Sequence, residues 1–161
     1  MHCIGGFALT TQFGFPRSTA DIDILTAVPA TRLRSLQNLA GEGSELHRRF
    51  KVYLQVVRMI TYPENYAIRL IRLWPRFEIE KLGLYVLEAH DLALTKLERN
   101  SDVDRQDLLW LAREDLIDVR TLNERYLKEF RPNAVGRVET CDGTLALWTE
   151  MIQEERGRRR G

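Results

Sequence analysis

Residues 21–24 read Asp21-Ile22-Asp23-Ile24, a strict alternation of carboxylate and apolar side chains. Side chains alternate between the two faces of a β-strand, so this period of two predicts a strand with Asp21 and Asp23 on one face. Ile22 and Ile24 then lie on the opposite face, where they can be buried. The stretch therefore predicts a strand that carries two neighbouring carboxylates on one face of a sheet.

Length and composition are those of one globular domain with its own core: 161 residues, 44% of them hydrophobic and 29% charged. A net charge of +1 excludes a surface that is basic throughout, and the apolar content excludes disorder. The charge is unevenly distributed, because residues 1–76 carry 10 basic and 5 acidic residues, whereas residues 77–155 carry 10 and 18. The basic excess around the two aspartates is what a triphosphate or RNA partner requires.

The sequence also excludes several classes of protein. No apolar run approaches the roughly 18 residues that a membrane-spanning helix needs, and the first residues lack a secretory signal, so we expect a cytoplasmic protein. Cys3 and Cys141 lie far apart without CxxC spacing, and three histidines form no zinc pattern, so we expect free thiols. The sequence pattern predicts that the first strand begins at residue 1, so we expect either a start upstream or an unusually short N-terminus.

The order of predicted elements indicates an α+β protein in which a β-rich half is followed by helices. Strand patterns occur at residues 52–57 and 83–87, and helical spacing occurs at residues 30–39, 88–99, 103–113, 121–129 and 144–155. We therefore expect a β-sheet core at residues 1–87, a helical subdomain at residues 88–155 that completes the same single domain, and a basic tail at residues 156–161.

The segment before the aspartate strand adds groups that suit phosphate and metal chemistry. Gly5-Gly6 allows close approach of the backbone to phosphate, and carboxylate oxygens such as those of Asp21 and Asp23 are ligands for Mg²⁺. Arg17-Ser18-Thr19 supplies a bidentate phosphate clamp and two hydroxyl donors. A DxD pair by itself more often marks a solvated strand face, so the hypothesis depends on the combination.

These residues carry a family resemblance. Ile4-Gly5-Gly6-Phe7-Ala8, followed by Arg17-Ser18-Thr19-Ala20-Asp21-Ile22-Asp23-Ile24-Leu25, resembles the signature of the nucleotidyltransferase superfamily (DNA polymerase β-like). The chain is most similar to minimal bacterial nucleotidyltransferases allied to the abortive-infection type IV toxin-antitoxin toxins. The resemblance implies a small mixed sheet and transfer of a nucleoside monophosphate from an NTP to a hydroxyl of RNA, protein or a small molecule.

The same resemblance assigns roles to the residues. Asp21 and Asp23 would hold Mg²⁺ or Mn²⁺, and Arg17 and Lys96 would neutralise phosphate charge. The phosphates would be cradled by four further residues: Gly5, Gly6, Ser18 and Thr19. The expected partners are a nucleotide, an RNA or protein acceptor, an antitoxin and a second copy of the chain, with no membrane.

A second region, at residues 88–99 and 104–109, resembles the part of that subgroup in which a helical lysine precedes an aspartate-bearing helix. It implies that Lys96 contacts the phosphates and that Asp107 positions the nucleotide or the acceptor. Lys96 lies on the apolar face of one predicted helix, and Asp104 and Asp107 lie along the edge of the apolar face of the next helix. We therefore expect the lysine to pair with one of these aspartates. Alternatively, Ser101 and Asp104 form a capping box, and Lys96 extends over the core to solvent.

The third carboxylate that usually completes a two-metal site in this superfamily is absent from its expected strand, where Gln55 faces the aspartate pair. Because a neutral amide holds Mg²⁺ poorly, either the helical aspartates take over this role or activity is reduced. A catalytically reduced binding or regulatory module, for example as part of a toxin-antitoxin pair, is therefore the second hypothesis. Glu78 and Glu80 are weaker candidates for the third carboxylate, and His90 is assigned to packing or the surface.

Overall fold

The computed structural model describes residues 1–76, 81–134 and 136–160, with Arg160 described as backbone alone. The chain forms two compact units, a sheet unit of residues 1–59 and 70–87 and a helical unit of residues 60–69 and 88–161. The α+β class is confirmed, with a small mixed sheet and C-terminal helices. Residues 60–69, which the sequence placed with the sheet, belong to the helical unit.

The sheet has five strands in the order β3-β2-β1-β5-β4. They are β1 (His2–Cys3), β2 (Asp21–Thr26), β3 (Tyr53–Val56), β4 (Ile71–Arg72) and β5 (Tyr85–Val86). The central β1 runs antiparallel to β2 and parallel to β5, β2 runs parallel to β3, and β4 runs antiparallel to β5. The strands predicted at residues 21–24, 52–57 and 83–87 are confirmed, and the two-residue β4 was missed.

In the described part of the sheet unit, three helices accompany the sheet: α1 (Gly5–Phe13), α2 (Leu33–Ala40, after a 3-10 turn at Ala30–Arg32) and α3 (Glu45–Phe50). The helix predicted at residues 30–39 is confirmed. Gly5 and Gly6 form the first turn of α1. Helix α3 begins where the Ser44 hydroxyl accepts a hydrogen bond from the amide of His47 at 3.1 Å.

The interior of the sheet unit lies where α1 covers the sheet. Ile24 on β2 and Val86 on β5 are fully buried, as are Ala8 and Leu9 on α1. Cys3 on β1 is buried with them, and Cys3 and Cys141 are free thiols, as expected. This apolar packing fixes α1 against β2, so the start of the helix and the aspartate strand are held together.

The helical unit contains α4 (Ala89–Leu94), α5 (Asp102–Arg113), α6 (Val119–Arg125) and α7 (Val138–Arg160), with a π-helical turn at Tyr126–Phe130 and 3-10 turns at Tyr66–Arg69 and Arg131–Asn133. Its core includes Leu108 and Leu111 of α5 and Trp148 and Ile152 of α7, all at most 1% exposed. Helix α4 is shorter than the predicted residues 88–99, because the amides of Lys96 and Leu97 bond three residues back and form tight turns.

Helix α7 continues to Arg160, so residues 156–160 are helical rather than a separate basic tail. Arg156 donates a hydrogen bond to the carbonyl of Ile117 at 2.7 Å, and Arg159 donates to the carbonyl of Arg113. Glu155 accepts from Arg113 at 2.7 Å. These bonds tie the last turns of α7 to the end of α5 and the loop that follows it.

Arg69 fixes residues 60–69 to the rest of the helical unit. Its guanidinium contacts Asp91 at 2.7 and 3.1 Å and Glu129 at 2.6 and 3.1 Å. Asp91 is fully buried and also accepts from Arg125 at 3.0 Å. Because planar guanidinium forks onto carboxylates are strong and directional, this cluster determines where the segment packs. Among the helices described for residues 1–160, none is long and apolar enough to cross a membrane.

Candidate functional site

The carboxylate pair lies on β2, next to the edge strand β3. Asp21 pairs in register with Tyr53, and Asp23 pairs with Gln55. Register partners on parallel strands point to the same face, so Tyr53 and Gln55 lie on the carboxylate face. Both aspartates are half-buried and Gln55 is exposed, so this face is open to a ligand. The prediction that Gln55 faces the pair is confirmed.

Gly5 lies against the Asp23 carboxylate at the first residue of α1. Its φ is +69°, and a Cβ at this position would overlap Asp23 Oδ2 and lie 3.1 Å from Cγ. The preceding Ile4 donates its amide to the Asp23 carbonyl at 2.9 Å, which brings the helix start to the strand. A glycine is therefore required here for both backbone conformation and space. The Asp23 carboxylate lies at the positive end of the α1 dipole.

Gly6 faces Thr19 and Arg17. A Cβ built on Gly6 would lie 3.3 Å from Thr19 Oγ1, which is tight, and 3.5 Å from Arg17 Nη2, which is ordinary contact. The Arg17 carbonyl accepts from Thr10 Oγ1 at 2.7 Å, and its guanidinium carbon lies 5.1 Å from the centre of the Phe15 ring. These contacts hold Arg17 beside the first turn of α1.

Thr19 contacts the carboxylate pair directly through its side chain. Its hydroxyl donates to Oδ1 of Asp21, so its proton is directed at the carboxylate in this structure. That contact orients Asp21, a use that the sequence did not predict for Thr19. Ser18 is exposed beside it. The structure thus brings together Gly5, Gly6, Arg17, Thr19, Asp21 and Asp23, with Ser18 at the rim.

The surroundings of the pair show its negative potential. The pKa of Tyr53 is raised by partial burial and then by the charges of Glu42, Asp21 and Asp23. Burial raises the pKa of the Cys3 thiol to about 11, and the charge of Asp23 adds to this effect. The charge of Asp23 thus reaches both neighbouring side chains, and the charge of Asp21 reaches Tyr53.

The donor set fits a hard divalent cation such as Mg²⁺ or Mn²⁺, because two carboxylates and the amide oxygen of Gln55 are all oxygen donors. Within residues 1–76, 81–134 and 136–160, no group of three or more His, Cys, Asp or Glu side chains is arranged to hold a metal. A cation here would therefore take its remaining ligands from phosphate and water. Glu78 and Glu80 lie outside the described residues.

In the helical unit, Lys96 forms the ion pair expected from the sequence. Its Nζ lies 2.9 Å from Asp107 Oδ2 and 3.6 Å from Asp104 Oδ1. Lys96 is 5% exposed, and both aspartates are fully buried. The lysine is therefore a buried cation between two carboxylates rather than a side chain that extends to solvent. Its contact with nucleotide phosphates stays a prediction, as does the positioning role of Asp107.

Asp104 has both of the roles that the sequence left open. It completes the capping box with Ser101 at the start of α5, and it also lies beside Lys96. Arg99 donates to it at 2.8 and 2.6 Å. Burial alone would raise the pKa of Asp104, but the hydrogen bonds from Arg99 and Ser101, with the charge of Lys96, lower it to about 2.

His90 belongs to a structural network. Its Nε2 accepts the amide of Asp118 at 2.9 Å, so Nδ1 carries the proton that bonds Glu88 at 2.7 Å. Arg125 donates to Glu88 and to the buried Asp91. The ring joins the start of α4 to the start of α6, in agreement with its assignment to packing. The polar residues at 88–91, inside an otherwise apolar stretch, were the sequence signal for this network.

The family model described as "Nucleotidyltransferase of unknown function (DUF6036)" matches residues 2–154. The match extends over almost the whole chain and includes both the carboxylate face and the buried Lys96 pair. Comparisons with curated proteins and with solved structures gave no match.

Proposed function

The chain belongs to the nucleotidyltransferase family DUF6036, and from this premise we propose that it transfers a nucleoside monophosphate from an NTP to an acceptor hydroxyl. The observation that carries the proposal is the contact between the Asp23 carboxylate and Gly5 at the start of α1. It brings a carboxylate pair suited to a metal to a helix N-terminus, whose first backbone N–H groups have no acceptor within the helix, and a metal-bound triphosphate needs this combination.

In this reaction the acceptor oxygen attacks the α-phosphorus, and the bond from that phosphorus to the bridging oxygen breaks. Pyrophosphate leaves with the bonding electrons, and the acceptor proton passes to water. Since little covalent chemistry is left to the protein, its residues act by holding and aligning the two substrates.

Asp21 and Asp23 are the residues that would hold Mg²⁺ or Mn²⁺. The bound cation neutralises phosphate charge and lowers the pKa of an oxygen ligand. Thr19 fixes the Asp21 carboxylate through its hydroxyl, and Gly5 leaves room for the Asp23 carboxylate. The two aspartates thus keep one orientation before the nucleotide arrives.

The phosphates would lie at the first turn of α1, against the backbone of Gly5 and Gly6. Arg17 lies over this turn and would offer two parallel N–H donors to a phosphate. Ser18, exposed beside it, would add a hydroxyl donor. The phosphate contact that the resemblance implies for Lys96, and the positioning role that it implies for Asp107, stay predictions.

The test is transfer of label from NTPs labelled at the α-phosphate, with Mg²⁺ or Mn²⁺, to RNA or to protein by the purified full chain. Asp21→Asn and Asp23→Asn should abolish transfer and weaken nucleotide binding in calorimetry. Asp115→Asn is the matched control, because Asp115 is exposed and its φ of +54° also suits asparagine. Absence of nucleotide binding, with Asp21→Asn indistinguishable from wild type, would overturn the proposal.

Gln55 supports a second candidate, a catalytically reduced nucleotidyltransferase that binds nucleotide and acts as a regulatory module. This module could belong to a cytoplasmic toxin-antitoxin pair, with an antitoxin or a second copy as partner. It predicts nucleotide binding that depends on Asp21 and Asp23 without any transfer. Label transfer by the purified chain would exclude it.

A further inference from the structure

The end of α3 and the start of β3 carry an exposed basic and aromatic edge formed by Arg48, Arg49, Phe50 and Lys51. Residues 47–58 contain four Arg or Lys residues and no Asp or Glu. Arg48 is held by a hydrogen bond to the carbonyl of Gly43 at 2.6 Å. Glu42 and Glu45 precede this stretch, so the excess of positive charge is confined to residues 47–58, where it suits a polyanionic partner.

Phe50 is the aromatic part of the edge. Its side chain is 58% exposed, and the guanidinium carbon of Arg49 lies 5.0 Å from the centre of its ring. An exposed ring flanked by arginine is the arrangement on which nucleic-acid bases stack, with the cations contacting the phosphates. The chemistry of the edge thus matches a single-stranded nucleic acid more closely than a free phosphate.

Lys51 occupies a position where glycine is usual. It ends α3 with a φ of +60°, in the left-handed region that costs a side chain about 1 kcal/mol or more. Because glycine would fit this backbone conformation at lower cost, the presence of lysine here suggests a role for its side chain. It is also the residue of the edge that lies nearest in sequence to β3.

The edge is close to the carboxylate pair within the same unit. Tyr53 is two residues beyond Lys51, which spans at most about 7 Å of chain, and it pairs in register with Asp21 across a strand spacing of about 5 Å. The His47 ring lies 4.9 Å from the Tyr53 ring, so the two rings form an aromatic pair at the start of β3. A single strand bound at Lys51 would have to span about 12 Å at most to bring a hydroxyl to Asp21.

We propose that the edge formed by residues 48–51 binds a single-stranded nucleic acid, and that this strand carries the acceptor hydroxyl. The acceptor role rests on the proposed nucleotidyl transfer, whereas the binding does not. The strand would contact Arg48, Arg49 and Lys51 through its phosphates and would stack a base on Phe50.

The binding is tested by fluorescence anisotropy of a labelled single-stranded RNA of about 12 nucleotides, with full chain, EDTA and no NTP. Arg48→Gln together with Arg49→Gln should lower affinity and reduce the slope of log affinity against log salt by about 1.4. Phe50→Ala should lower affinity at least about fivefold. Arg120→Gln with Lys128→Gln removes two charges from exposed positions of the helical unit and should change nothing.

Lys51→Gly tests whether RNA affinity can fall without a loss of folding stability. It should lower RNA affinity while the midpoint of urea unfolding stays the same or rises, because glycine relieves the left-handed backbone. A wild-type chain that fails to bind RNA, or an equal loss in the Arg120 and Lys128 control, would overturn the proposal. Binding of phosphatidylserine vesicles in place of RNA would overturn it in favour of a lipid surface.

Asp21→Asn distinguishes this inference from the proposed function, since that variant should bind RNA as wild type does while losing transfer. If no variant transfers label and RNA binding still depends on residues 48–51, the nucleic-acid edge stands and the proposed activity falls. In an active enzyme, label should enter the RNA and be lost with Arg48→Gln and Arg49→Gln. Label that enters protein alone, with RNA bound, contradicts the acceptor role.

Discussion

Gln55 lies in register with Asp23 on the neighbouring parallel strand, and it presents an amide where a third carboxylate would complete a metal site. The position is exposed, so a change of side chain there alters the charge of the carboxylate face without opening the core. We therefore expect the strength of any cation binding at this face to respond to a change at Gln55.

Gln55→Glu should tighten binding of Mn²⁺, because it adds a negative charge beside Asp23 with almost no change of shape. We expect a gain of about 1 kcal/mol, or about fivefold in Kd, for a charge added near a surface site. Calorimetric titration with MnCl₂ measures it. Gln106→Glu, at an exposed position of α5, is the control, and an equal gain in both variants would contradict the placement of the cation.

Gly5→Ala should displace the Asp23 carboxylate. The new Cβ would overlap Oδ2, and alanine at a φ of +69° costs about 1 to 2 kcal/mol of folding free energy. We expect lower stability in urea unfolding together with a loss of Mn²⁺ and nucleotide binding.

Gly14→Ala is the control that distinguishes strain in the backbone from overlap with the Asp23 carboxylate. Gly14 has a φ of +79° at the end of α1, and a Cβ there meets nothing within 4 Å. This variant should lose a similar amount of stability and retain ligand binding. Loss of binding in both variants would show that binding of Mn²⁺ and nucleotide does not depend specifically on the contact between Gly5 and Asp23.

Lys96→Met should be strongly destabilising, because it leaves the buried carboxylates of Asp104 and Asp107 without their shared cation. We expect a loss of about 3 to 5 kcal/mol in urea unfolding. Combining it with Asp107→Leu should recover part of that loss. Lys128→Met, which breaks an exposed pair with Glu124, is the control and should cost less than about 1 kcal/mol.

The same double variant tests the proposed contact of Lys96 with phosphates. A chain carrying Lys96→Met and Asp107→Leu that folds but no longer binds nucleotide supports that contact. Nucleotide binding equal to that of the wild type would restrict Lys96 to a structural role.

Stability should fall in acid through Asp104. Its pKa of about 2 is below the ordinary 3.8, so the folded chain binds this proton less readily than the unfolded chain. The resulting stabilisation, about 2 kcal/mol, is complete above pH 4 and is lost as the pH falls toward 2. Urea unfolding gives the free energy of unfolding at each pH, and its slope against pH should be smaller for Asp104→Asn than for the wild type. The slope for Arg99→Gln should be intermediate. Identical slopes in all three chains would contradict the assignment.

The carboxylate face could be predicted because its signals are local. The alternation at residues 21–24 fixes which side chains share a face, and the strand at residues 52–57 has one residue that can face the pair. The pairing of Lys96 with Asp104 or Asp107 was equally accessible, because a charge on an apolar helix face must find a partner.

Other features depend on contacts between distant parts of the chain. Helix α1 begins at two glycines after Ile4, which offers no side-chain cap, and it is stabilised by burial of residues such as Leu9. Strand β4 has two residues, too few for a period of two. The last turns of α7 are held by Arg156 on the carbonyl of Ile117, and no local pattern predicts that bond.

The attachment of Arg69 to Asp91 and Glu129 limits how the gene can be divided for expression. A fragment that starts at residue 88 would lack the guanidinium and would leave Asp91, which is fully buried, with Arg125 as its remaining cation among the contacts described above. A fragment that ends at residue 87 would carry residues 60–69 without the helices that hold them. Isolation of the helical half therefore requires residues 60–69 to be supplied with it, as a fused or co-expressed segment.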